Sequence, residues 1–172
     1  ERLALSRRRG SFPSGRAGIL GMSPKVPVRV TAERQKVLAL DTNIFIYHFE
    51  ENPAYIAFTE GLFEKIESGR ARAITSALTL HEILTGARKA GNADLVSLYR
   101  NLLSSFPNLH FVPFDAAVAD ISSDLRARYG LRTPDAIQVA TAILQRADAF
   151  VTNVAGLRRI KEIKITLPRA AD

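Results

Sequence analysis

Three carboxylates stand where their types and neighbours suit chemistry: Asp41, Glu82 and Asp135. Asp41 follows the apolar run Val37-Leu38-Ala39-Leu40 and precedes Thr42-Asn43; Glu82 lies within Leu80-His81-Glu82-Ile83-Leu84; Asp135 lies within Thr133-Pro134-Asp135-Ala136. Each also has an ordinary structural role. Asp41 can cap a following helix, Asp135 complements the positive end of a helix dipole, and Glu82 falls opposite the apolar face marked by Leu80, Ile83, Leu84 and Ala87, which predicts a solvated side chain. Their joint placement says more. Converging carboxylates repel, and proteins relieve this by protonating one or by placing a divalent cation between them; oxygen-only ligands favour Mg²⁺ or Mn²⁺ over zinc. The chemistry such a site supports is metal-assisted hydrolysis of a phosphodiester.

The acids converge only if the surrounding elements deliver them to one edge. Residues 37–40 are short and continuously apolar, as for a central parallel strand covered on both faces, and Thr42 and Asn43 favour a helix start. A short helix is predicted over 44–49 and a longer one over 54–68, with Phe58, Leu62, Phe63 and Ile66 as its buried stripe and Gly69 as its stop. Residues 71–75 read as a second strand; Ser76 or Thr79 caps a helix to Lys89, and another helix spans 93–104. A third strand is predicted over 109–114, after which Asp115 caps a helix ending at Tyr129-Gly130. Thr133 reads as a cap with Pro134 at the first helical position, opening a helix to about 146; 149–152 is a fourth strand and 163–165 a short fifth. Strands alternating with helices imply right-handed crossovers, and hence an α/β fold: a three-layer α/β/α sandwich around a central parallel sheet of four to five strands. The carboxyl ends of its strands share one edge, where open sheets of this kind bind ligands.

Charge is distributed unevenly. The 172 residues carry a net charge of +7, yet residues 1–36 hold nine Lys/Arg and two Glu, while residues 37–172 hold fifteen of each sign. The basic excess therefore says little about the body of the protein. Residues 1–36 contain Arg7-Arg8-Arg9, scattered Gly, Ser and Pro, and no apolar period, which predicts a disordered basic extension ahead of a single domain over 37–172. A twin-arginine export signal is disfavoured, because Pro13, Ser14, Gly15 and Arg16 interrupt the apolar segment that must follow. Met22 is the single methionine, so residues 1–21 are expected to be an over-extended gene start, with a phosphate-contacting arm as the alternative. The absence of cysteine excludes disulfides, thiolate metal sites and cysteine catalysis and is compatible with a reducing cytoplasm, the expected location. No apolar run approaches the ~20 residues that cross a bilayer, so no membrane association is expected.

In order and spacing, Asp41-Thr42-Asn43 after an apolar strand, Glu82 within residues 80–87, Asp135-Ala136 opening an Ala-rich helix, and Val151-Thr152-Asn153 after a strand resemble the PIN-domain ribonucleases. The resemblance runs from about residue 37 to 165 and is closest to the VapC-like toxins of type II toxin–antitoxin pairs. It implies that Asp41, Glu82 and Asp135 are catalytic acids holding a divalent cation, Mg²⁺ or Mn²⁺, that RNA is the substrate, that a cognate antitoxin restrains the activity, and that the chain forms a homodimer. Thr152 and Asn153 would support the acidic cluster. The implied reaction is in-line attack of water on an RNA phosphodiester, the cation lowering the pKa of that water and offsetting charge on the leaving oxygen. One position departs from the pattern. Family members commonly carry an aspartate after threonine-asparagine, where this chain has Val154. Asn153 offers only a neutral carbonyl in its place, so one well-held ion is expected, with any second ion weak or substrate-dependent. A catalytically degenerate domain that binds RNA or a protein partner without turnover is the alternative.

Other residues read more plainly. His48, His81 and His110 form no convergent pair, which disfavours zinc and leaves them structural or solvated. Arg126, Arg128 and Arg132 precede Asp135 and read as phosphate contacts or as a solvated helix end. Phe45, Tyr47, Phe49, Tyr55 and Phe58 read mostly as core rather than as a partner-facing surface. An aspartyl-phosphate enzyme also places an Asp after its first parallel strand, but no paired second aspartate lies near Asp41.

Overall fold

An apolar run such as 37–40 forms a central strand only if other elements cover both of its faces, and the chain supplies them. The computed structural model describes residues 35–170; residues 1–34 of the predicted basic extension, with the two alternatives for residues 1–21, lie outside the described residues, and Lys36, expected in the extension, begins the first strand. Five strands, β1 (Lys36–Leu40), β2 (Ala71–Ser76), β3 (Leu109–Val112), β4 (Ala149–Val151) and β5 (Ile165–Thr166), form one sheet in the order β3-β2-β1-β4-β5. Every neighbouring pair is parallel. Between them run α1 (Thr42–Phe49), α2 (Ile56–Glu67), α3 (Ala77–Lys89), α4 (Ala93–Ser105), α5 (Ala116–Tyr129) and α6 (Thr133–Leu144).

Successive residues of a strand point to opposite faces, and the core divides accordingly. Ala39, Ile74 and Phe150 pack with Val118 and Leu125 of α5 and Val139 of α6. Their strand neighbours Leu40, Ala73 and Val151 pack the other way, against Ile44 and Phe45 of α1, Phe63 and Ile66 of α2 and Leu103 of α4. The result is the expected three-layer sandwich. No helix among the described residues is long and apolar enough to cross a membrane.

Local chemistry sets the helix ends. Asp115 accepts from the Val118 amide at 2.9 Å to open α5, and Gly130, at φ +60°, closes it in the left-handed conformation that a side chain would strain. Asp115→Ala is expected to destabilise the fold by ~1 kcal/mol, readable as a lower denaturant midpoint at unchanged slope.

Some boundaries differ from those read in the sequence. The first helix starts at Thr42, because Asp41 already serves as its cap. Residue 54 lies in a turn and α2 begins at Ile56; Leu62, Phe63 and Ile66 are buried as expected, but Thr59 is fully buried where Phe58 is only partly so. Ser76 rather than Thr79 caps α3. Pro113 lacks an N–H for the ladder, so β3 stops at Val112. The last helix ends at Leu144 and starts one residue earlier than predicted, with Arg132 as its cap, Pro134 in the second position and Asp135 in the third. Ile163 packs into the core, and the fifth strand is Ile165–Thr166. A 3-10 helix over Ala155–Arg159 was not expected.

Candidate functional site

In the order β3-β2-β1-β4-β5 the chain builds outward from β1 in one direction and later returns to its other side, so the sheet's switch point lies between β1 and β4. Crossovers diverge there and leave a crevice at the carboxyl ends of the strands. Asp41 follows β1 and Thr152 follows β4, and the two meet. The Asp41 amide donates to the Val151 carbonyl at 2.9 Å, prolonging the ladder by one bond. Its Oδ1 accepts from the Thr42 amide at 2.7 Å, and its Oδ2 accepts from the Thr152 hydroxyl at 2.6 Å. Thr152 Oγ1 in turn accepts from the Val154 amide at 3.1 Å, which orients the hydroxyl toward Asp41.

The crevice is a cleft of about 170 Å³ whose walls include Asp41, Glu82 and Asp135, together with Asn43, Arg132, Pro134, Gln138 and Val154. Elements more than forty residues apart thus bring all three predicted acids to one opening. Glu82 is not the solvated side chain its helical wheel suggested. It is half-buried, because α1 packs beside α3 and the Thr42 hydroxyl donates to Glu82 Oε2 at 2.5 Å. Thr42 Oγ1 accepts from Gln138 Nε2 at 3.1 Å, tying the acid through α1 to α6.

Burial dominates the electrostatics. Asp41 is 8% exposed, and burial pushes its carboxyl up from 3.8 to about 6; the Thr152 and Thr42 hydrogen bonds oppose the rise, and the Asp135 and Glu82 charges reinforce it. Burial also raises Asp135, against the attraction of the Arg132 guanidinium. The cleft therefore holds negative charge that its own surroundings disfavour, the condition in which a bound cation is most welcome. Among the described residues no three acidic or histidine side chains already stand as a cage for an ion. The donor set still fits a hard cation that keeps several of its own waters: the acids share one opening, offer only oxygen, and Asp41 retains lone pairs beyond its two hydrogen bonds.

The remaining sequence candidates separate clearly. Asn153 does not line the cleft; its Nδ2 donates to the Tyr47 hydroxyl at 2.7 Å, and Tyr47 stacks on Tyr55 at 4.5 Å between ring centroids. Val154 does line it and presents an apolar side chain. Of the three arginines, Arg128 is held by Asp124 and Glu162, Arg126 donates to the Leu131 carbonyl at 3.3 Å, and only Arg132 reaches the cleft wall. None of the histidines lines the cleft; His48 packs its ring on Phe63 at 4.4 Å. Gln138 was not singled out in the sequence, although it stands three residues after Asp135 and so shares its helix face. A roomier hollow of about 350 Å³, lined by Arg88, Gly91, Asn92, Ala93, Val96 and Ser97, contains no acidic residue.

A parallel α/β sandwich with acids gathered at the switch point beside its first strand defines the class of protein. Residues 38–163 match the PIN domain model, and the chain belongs to the PIN domain family. No curated protein is significantly similar in sequence. Solved structures share the fold. A chain of the VapBC2 complex from Rickettsia felis, bound to a DNA fragment from its promoter, matches with a TM-score of 0.64 and 20% identity over 77% of this chain and 98% of that one. A chain of DNA-bound VapBC from Salmonella typhimurium gives 0.61 and 22%, again over 77% and 98%. A chain of a toxin–antitoxin complex from Klebsiella pneumoniae gives 0.57 and 26%, over 73% and 94%.

Proposed function

We propose that this PIN-domain protein is a divalent-cation-dependent endoribonuclease and the toxin of a toxin–antitoxin pair, acting in the cytoplasm. The observation that carries the proposal is the single cleft shared by Asp41, Glu82 and Asp135 at the switch between β1 and β4. Membership of the PIN domain family supports a nuclease, and the likeness to chains from toxin–antitoxin complexes supports a protein partner, a cognate antitoxin, that restrains it. A homodimer belongs to the same proposal.

In this reading Asp41, Glu82 and Asp135 hold one Mg²⁺ or Mn²⁺ ion, which when bound lowers the pKa of the attacking water and offsets charge on the scissile phosphate. Thr152 and the Thr42 amide keep the Asp41 carboxylate aimed at the cleft, and Thr42 does the same for Glu82. Arg132, on the wall beside Asp135, pairs with a phosphate oxygen of the RNA backbone. Val154 adds no charge, so a second ion is held weakly.

The purified protein is expected to cut structured and transfer RNAs when Mg²⁺ or Mn²⁺ is present, to stop on chelation, and to resume when metal is restored. Failure to cut any RNA with either metal would refute the proposal. It would favour a second reading that the apolar Val154 side chain in the cleft wall supports, a domain that binds RNA or a partner without turnover.

A further inference from the structure

Behind Glu82 lies a set of buried hydroxyls whose protons can be counted. Thr75 Oγ1 donates to the Leu40 carbonyl at 2.8 Å, and a carbonyl only accepts. With that proton engaged, Thr75 accepts across its 2.7 Å contact with Thr79, so Thr79 is the donor there. Thr42 Oγ1 donates to Glu82 Oε2, because a carboxylate only accepts. Both Thr42 and Thr79 are thereby left with lone pairs and no proton for the group between them, and the 3.1 Å contact between the two has no donor of its own. The group between them is Gln138 Nε2, 3.1 Å from Thr42 Oγ1 and 2.8 Å from Thr79 Oγ1. Two amide protons meet two acceptors, which determines the amide's orientation. Thr42, Thr75, Thr79 and Gln138 are each at most 5% exposed, so water does not stand in for any of these donors.

We propose that Gln138 is a positioning residue of the acidic cleft: by donating to Thr42 it directs the Thr42 hydroxyl proton onto Glu82 and holds that carboxylate toward the ion. The proposal rests on the metal-dependent reading above and extends it. Gln138 lies three residues beyond Asp135, on the same face of α6, so one helix supplies an acid directly and orients a second acid contributed by α3. The alternative is that Gln138 merely satisfies buried hydroxyls and matters only to folding.

Mn²⁺ titration of the full chain by calorimetry, paired with thermal melts, separates the two. Gln138→Leu, and the nearly isosteric Gln138→Met, are expected to weaken Mn²⁺ binding about tenfold, the scale typical of groups that orient metal ligands. Thr42→Val is expected to weaken it at least as much, whereas Thr42→Ser keeps the hydroxyl and the affinity. Because Gln138 acts through Thr42, adding Gln138→Leu to Thr42→Val should bring no further loss. Thr141→Val removes another buried hydroxyl of α6, one bonded to the Ile137 carbonyl, and is expected to shift the melting temperature without changing Mn²⁺ affinity. Wild-type affinity in both Gln138 variants, or additive losses in the double variant, would overturn the proposal even in a protein that cuts RNA. If neither Gln138 variant folds, equal affinity in Thr42→Val and Thr42→Ser would overturn it instead. A wild-type chain that binds no Mn²⁺ would bring down the metal-dependent reading and this inference together.

Discussion

Asp41→Asn is expected to lower metal-dependent RNA cleavage at least about a hundredfold while leaving the metal-free protein no less stable at pH 7. The loss of activity follows from position. Asp41 shares its cleft with Glu82 and Asp135 and is held by Thr152 and the Thr42 amide. In the proposed function this carboxylate is a charged oxygen ligand of a hard cation; a deficit of a few kcal/mol in transition-state stabilisation on its loss amounts to about a hundredfold or more. Stability moves differently, because at pH 7 the wild type carries a charge that burial opposes, and asparagine keeps the shape and one acceptor oxygen without that charge. Gel-resolved RNA cleavage and thermal melts test both halves. Wild-type cleavage would remove Asp41 from the site, and inactivity with a large fall in melting temperature would mark it as a structural cap.

A second large effect concerns pH and metal. Without metal, stability is expected to fall as pH rises from about 4 to about 6 and then to level off. The Asp41 carboxyl has an ordinary value of 3.8 and a folded value of about 6. Between the two the folded state keeps a proton that the unfolded state has released, so the unfolding free energy decreases with pH. A shift of this size corresponds to ~3 kcal/mol at pH 7. Asp135, also raised by burial, contributes with the same sign. A carboxylate stabilised by a salt bridge would give the opposite slope. Under the proposed function Mg²⁺ or Mn²⁺ should reverse the trend, because the ion would bind the deprotonated acids: it should raise the melting temperature more at pH 7 than at pH 5. Denaturant unfolding across this range, with metal or with chelator, provides the measurement, and Asp41→Asn isolates the contribution of Asp41. Equal slopes in the variant and the wild type would refute the assignment.

Much of this protein is legible in one dimension because its signals are local. Apolar strands such as 37–40, a capping Asp115 and the stop at Gly130 act over a few residues, and the alternation of strands and helices then leaves few topologies open. The order of the acids along the chain was equally readable. Errors accumulate where local signals compete. Thr133 read as a cap, but the helix begins there and Arg132 precedes it; Pro113 could end a strand or only interrupt it. The surroundings of Glu82 were the least legible, because the periodicity of one helix carries no trace of the neighbouring α1 that supplies Thr42.

By itself the sequence determined the α/β class, the parallel sheet, and the three acids expected to share its carboxyl edge. Only the tertiary structure decided how those acids are held. Thr42 meets Glu82 across 40 residues, Gln138 meets Thr42 across 96, and Thr152 meets Asp41 across 111. Contacts of that span depend on which strands become neighbours and where the helices between them come to rest, and propensities acting over a single turn do not encode either. The same crossovers turned Asn153 toward Tyr47 and left Val154 in the cleft wall.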